Sequence, residues 1–183
     1  MTKIFLAFTA LLVLCGTAMA TEVDVAQSAI TWKGSKITGD HHVGHISTKS
    51  SSLTLSDGVI AGGDIVFDMN SLTVNDLEGK WKDKFIGHMK SADFFDVANH
   101  PTARLKLNNI ADGKATGTLT IKGVTQPISF AVKQVDQKYV GKTSFDRTKF
   151  GITFGSGSFF EDLGDKMIND AVEVEFTIAL KGE

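Results

Sequence analysis

The chain of 183 residues holds a single cysteine, Cys15, and it lies inside an N-terminal apolar stretch. Beyond it there is no thiol to make a disulfide, a thiolate metal site or a nucleophile. Apolar runs are short as well: none approaches the roughly 20 residues that cross a bilayer as a helix. A basic stripe is also missing. Lys+Arg number 19 against 21 Asp+Glu, for a formal charge of −2, and the charges are dispersed, which argues against a nucleic-acid partner. No internal repeat, low-complexity tract or linker divides the sequence. One domain that relies on its own core is the expectation.

What is present begins with a leader. Lys3, the apolar stretch Ile4 to Leu14 and the Ala18-Met19-Ala20 site follow the order of a cleavable secretory signal. The expected organisation is a signal peptide over 1–20, one domain over 21–183, and a periplasmic or secreted product. Bulky Leu14 ahead of Cys15 argues against a lipoprotein signal.

Short β segments fill the remainder. Val172, Val174, Phe176, Ile178 and Leu180 alternate with Glu173, Glu175 and Thr177, so one face of that strand is dry and the other wet. Ile30 and Trp32, Leu53 and Leu55, Ile65 and Phe67, Leu105 and Leu107, and Ile128, Phe130 and Val132 repeat the pattern. Asp57-Gly58, Asp112-Gly113 and Lys122-Gly123 read as hairpin turns. Pro127 limits its strand to an edge, a bulge or a first position. About eight strands are expected. Leu77, Trp81, Phe85 and Met89 recur every four residues and predict one helix, Asp76 to His88, capped by Asn75 with Glu78 and stopped near Gly87. A second helical turn is expected over Asp165 to Ile168.

Motifs for chemistry are weak. His41, His42 and His45 suggest a zinc or copper site, but His41 and His42 face opposite sides of a strand. Gly155-Ser156-Gly157-Ser158 lacks the lysine and the strand-to-helix setting of a phosphate loop. Asp162, Asp165 and Asp170 lack calcium-loop spacing. No nucleophile elbow or singled-out carboxylate pair is present. No cofactor motif occurs, and the expectation is a non-catalytic protein. The aromatics cluster at Trp81, Phe85, Phe94, Phe95, Phe145, Phe150, Phe154, Phe159 and Phe160. If a single sheet rolls up, its inward face either packs solid or lines a cavity for an apolar guest.

Three motifs carry a resemblance. Lys90-Ser91-Ala92-Asp93-Phe94-Phe95-Asp96-Val97, with His100-Pro101 after it, is the first. The second is Gly117-Thr118-Leu119-Thr120-Ile121-Lys122-Gly123-Val124-Thr125-Gln126-Pro127, and the third is Asp146-Arg147-Thr148-Lys149-Phe150-Gly151. In this order they resemble the YceI-like family of lipid- and polyisoprenoid-binding proteins, with His100 where the family pattern has tyrosine. The resemblance implies an all-β fold, an eight-stranded antiparallel lipocalin-like barrel with one short capping helix. It also implies an amphipathic lipid partner, an isoprenoid or fatty chain.

Candidate cavity walls are Trp32, Phe67, Trp81, Phe85, Leu105, Phe130, Phe145, Val174, Phe176 and Ile178. The polar mouth candidates are His42 and Arg147. The fork of Arg147 suits a phosphate or carboxylate. Its other reading is a buried arginine tied to Asp146, Asp162 or a backbone carbonyl. Two other functions stay open: an exported metal-binding protein using the histidines, and a filled barrel whose loops bind a protein. A homodimer is compatible with the sequence.

Overall fold

The computed structural model describes residues 18–182. The expected leader lies outside the described residues apart from Ala18, Met19 and Ala20, which pair with a later strand. Eleven strands and one α-helix are described. In chain order they are β1 (Ala18–Thr21), β2 (Val23–Ser35), β3 (His41–His45), β4 (Ser47–Ser56), β5 (Val59–Asp68), α1 (Gly79–Lys90), β6 (Thr102–Ala111), β7 (Lys114–Ile121), β8 (Val124–Ala131), β9 (Lys133–Val135), β10 (Lys138–Asp146) and β11 (Ala171–Leu180).

The strands form two antiparallel sheets, ordered β1-β4-β5-β6-β7-β8 and β3-β2-β11-β10-β9. The three predicted hairpin turns occur, with positive φ at both residues of each: 51° and 78° at Asp57-Gly58, 50° and 71° at Asp112-Gly113, 49° and 77° at Lys122-Gly123. Two positive φ values match the right-handed strand twist, which is why such pairs make tight hairpins. Pro127 sits in β8, an edge strand of its sheet, where its missing N–H removes no ladder bond on the outer side.

The expected all-β antiparallel architecture with one helix therefore forms, although the strands do not join into one closed ladder of eight. The chain crosses between sheets at Ile46, whose N–H donates to the Ile30 carbonyl (3.1 Å). It crosses again at Val132, whose N–H donates to the Gly113 carbonyl (2.8 Å). At this second seam β10 carries Gly141. A Cβ there would lie 2.6 Å from the Phe176 ring and 2.7 Å from the Ala131 carbonyl, so only glycine lets β8 come this close.

Helix α1 starts and ends later than predicted. Its N-cap is Glu78, which makes no side-chain capping bond, and it runs through Gly87 to Lys90 before Ser91 ends it. Asn75 does not cap, because its amide is engaged with the His45 ring (Nδ2 to Nε2, 2.9 Å). The second helical turn is a 3-10 turn over Gly164–Lys166.

Candidate functional site

The inner faces of both sheets enclose a cavity of about 930 Å³. That is near the top of the roughly 300–1,000 Å³ usual for small-molecule sites. Alternation explains the lining. On β11, Val172, Val174, Phe176 and Ile178 point into the cavity, while Glu173 and Glu175 point out and pair with Lys33 and Lys142. From the facing sheet come Ile65 and Phe67 of β5, Leu105 and Leu107 of β6, and Leu119 and Ile121 of β7.

Tyr139 also lines the cavity and is buried. Its hydroxyl accepts from the Ile60 N–H (3.2 Å) and donates to the Gly58 carbonyl (3.4 Å). This ties β10 to the β4–β5 hairpin, and burial pushes the phenol pKa up. Most of the polar lining lies elsewhere, on the β2–β3 hairpin and the segment before β11 (Ser35, Lys36, Asp40, His41, His42 and Asn169), with Thr143 of β10 and Arg147 besides.

Nine of the ten predicted wall residues line the cavity, namely Trp32, Phe67, Phe85, Leu105, Phe130, Phe145, Val174, Phe176 and Ile178. Trp81 does not: it is 72% exposed and corrects the sequence reading. A four-residue step on a helix drifts 40° past a full turn. Phe85 and Met89 therefore face inward while Trp81, one turn nearer the N-terminus, points to solvent. Sequence reasoning missed several lining residues outside the strands, among them Met69, Leu72, Phe94, Phe95, Ile152 and Ile168. The Phe94-Phe95 pair was a signal for two of them.

Trp32 is 7% exposed and stacks on Phe85, with ring centroids 6.4 Å apart and 11° between planes. Gly44 on the adjacent β3 makes room for it: a Cβ there would sit 2.6 Å from the indole and 1.8 Å from the Thr73 carbonyl. The buried indole N–H has no acceptor among the described residues. Such a donor is uncommon, because burial without a partner forfeits its hydration.

His42 lines the cavity. Its Nδ1 lies 2.6 Å from Asp76 Oδ2, and Asp76 Oδ1 accepts from the Val43 N–H (2.9 Å). Burial alone would raise the Asp76 pKa, but these bonds from Val43 and His42 outweigh it and hold the carboxyl low. The anion fixes a proton on His42 Nδ1 and leaves Nε2 as the second ring nitrogen. His45 is committed to Thr31 and Asn75, and His41 to the Gly39 carbonyl. Among the described residues no group of three His, Cys, Asp or Glu is placed to hold a metal ion, so the three imidazoles do not converge.

Arg147 is not an open mouth residue. It is 3% exposed and spends all five N–H groups on the protein. Nε donates to the Asn169 carbonyl (3.1 Å), Nη1 to those of Ile152 (2.8 Å) and Phe154 (2.9 Å). Nη2 donates to the Ile168 carbonyl (3.1 Å) and to Asp170 Oδ1 (3.3 Å). Burial lowers its pKa, with Asp170 and Asp146 opposing. No donor is left for a head group, and the carboxylate partner is Asp170, since Asp146 instead accepts from Thr148.

Residues 22–180 match the profile of the YceI-like domain. The chain belongs to the YceI-like family. Curated relatives include a UPF0312 protein of Pseudomonas aeruginosa, 30% identical over 124 residues, which are 64% of this chain and 60% of the relative. The chain thus spans less than two thirds of that relative's length. A UPF0312 protein of Vibrio parahaemolyticus is 29% identical over 154 residues, 74% of this chain and 78% of that one. Among solved structures, BcnA of Burkholderia cenocepacia superposes with TM-score 0.59 at 19% identity, covering 87% of this chain and 99% of that one. A polyisoprenoid-binding domain from Saccharophagus degradans gives TM-score 0.63 at 16% identity, covering 89% and 98%. These two share the fold.

In this YceI-like domain the three motifs all border the cavity. The first forms the turn after α1, where Asp96 takes a positive φ of 47°, Phe94 is buried and Phe95 lines the wall. The second is the β7–β8 hairpin. The third is the 3-10 turn Arg147–Phe150 that seats Arg147.

Proposed function

We propose that this protein binds and carries an amphipathic lipid, a polyisoprenoid or fatty chain, in the cavity between its sheets and performs no chemistry on it. The observation that carries this is the cavity: about 930 Å³ walled mainly by aliphatic and aromatic side chains, with most of its polar groups on the β2–β3 hairpin. Each methylene moved there from water gains roughly 0.8 kcal/mol before ordering and association costs. The polyisoprenoid-binding relative of the same fold supports this class of guest. The leader reading of residues 1–20 supports export to the periplasm or beyond, and N-terminal sequencing of the purified protein tests it.

Native mass spectrometry after gentle purification, followed by solvent extraction, should show one chain lipid per domain. A protein that arrives empty and takes up no fluorescent fatty or prenyl chain would refute the carrier reading.

A further inference from the structure

Helix α1 has two faces with different business. Phe85 and Met89 face the cavity, whereas Trp81 projects into solvent at 72% exposure. Around Trp81 stand Lys80, Lys82 and Lys84, and Lys84 Nζ lies 5.8 Å from the indole centroid. The helix carries four lysines, with Lys90, against one carboxylate, Asp83, although the chain as a whole is net negative. None of Lys80, Lys82 and Lys84 forms an ion pair among the described residues. An exposed tryptophan among unpaired lysines is unfavourable solvent surface. It suits the interface of an anionic bilayer, where the ring sits at head-group depth and the lysines meet phosphates.

Further exposed apolar groups lie beyond the other end of the helix, toward the cavity's polar end. His88 of α1 packs edge-on against the exposed Phe154, 4.6 Å between ring centroids. The loop beyond Phe154 exposes Phe159 and Phe160 and packs Gly157 under Met167. The Met167 carbonyl accepts from the backbone N–H of Ile37 (3.2 Å), whose exposed side chain neighbours the cavity-lining Lys36.

We propose that α1 and this rim dock the protein on an anionic phospholipid surface, which places the cavity end where a chain can pass between bilayer and protein. Only the purpose of docking rests on the carrier reading; docking itself is measured without a guest.

The test is co-sedimentation of the protein with vesicles of phosphatidylcholine, alone or mixed with phosphatidylglycerol, alongside uptake of a fluorescent fatty chain from solution. Binding should require phosphatidylglycerol, weaken with salt and blue-shift the Trp81 emission. Trp81→Ala, and separately Lys80→Gln with Lys82→Gln and Lys84→Gln, should each reduce vesicle binding at least tenfold. Neither substitution set touches the cavity lining, so uptake from solution should be unchanged. Vesicle binding that ignores lipid charge, or that both variants retain, overturns the docking proposal while leaving the carrier reading standing. Failure of the unaltered protein to take up the chain from solution would instead overturn the carrier reading alone.

Discussion

Ala103→Phe should lower affinity for a chain lipid by about two orders of magnitude without lowering the melting temperature. Ala103 on β6 lines the cavity, keeps part of its surface open to it, and pairs across the ladder with Phe67. A benzyl group in that space displaces roughly four methylenes of guest. At about 0.8 kcal/mol each this removes roughly 3 kcal/mol, near a hundredfold in affinity. In a solid core the same substitution is overpacking and costs about 1–3 kcal/mol of stability. In a hollow it finds room and buries new apolar surface. Chain uptake and thermal unfolding read together therefore decide the matter. Ser129→Phe serves as the control, because Ser129 neighbours Thr116 on the exposed outer face of β8, and uptake should be unaffected. A destabilised Ala103→Phe protein that still took up lipid normally would show that the interior packs solid and the guest binds elsewhere.

The cavity walls were readable in the sequence because a strand has a strict period of two. Choosing one face of Val172 to Ile178 also chooses what points inward. Type I′ dipeptides fixed the hairpins for a comparable reason, since positive φ at two successive residues permits few alternatives. Closure was not readable. Whether the sheets join depends on how near β8 comes to β10, and that is set by one missing side chain, at Gly141, lying between Ala131 and Phe176. The short strand β9 was also hidden, because three residues carry too little alternation.

The helix was found but its ends were misplaced, since the capping pattern at Asn75 assumed a side chain free to cap. That amide is held by His45 thirty residues away, a tertiary contact that no local pattern encodes. Trp81 was misassigned for a related reason. A four-residue repeat defines a stripe that drifts around the helix, and its first member left the buried side.

Replacing Arg147 with methionine should destabilise the protein by about 3–5 kcal/mol, chiefly the cost of leaving several backbone carbonyls without their donor. Methionine nearly fills the space but donates nothing. The carbonyls of Ile152, Phe154, Ile168 and Asn169 would lose their arginine donors together with Asp170, and each unsatisfied buried acceptor costs roughly 1–3 kcal/mol. Lysine should rescue little, because three donors radiating from one nitrogen cannot reproduce a planar fork of five. Binding should fall with stability, since Ile152, Ile168 and Asn169 line the cavity and the arginine holds all three in place. The competing role, a receptor for a charged head group, makes the opposite prediction. On that reading Arg147→Met would relieve a desolvated charge, leave urea unfolding unchanged or shifted upward, and weaken only ligands ending in phosphate or carboxylate. Urea denaturation of the variant, beside uptake of a neutral and an acidic chain, separates the two. Loss of stability with equal loss of both chains identifies Arg147 as the residue that ties the 147–170 segment to the wall.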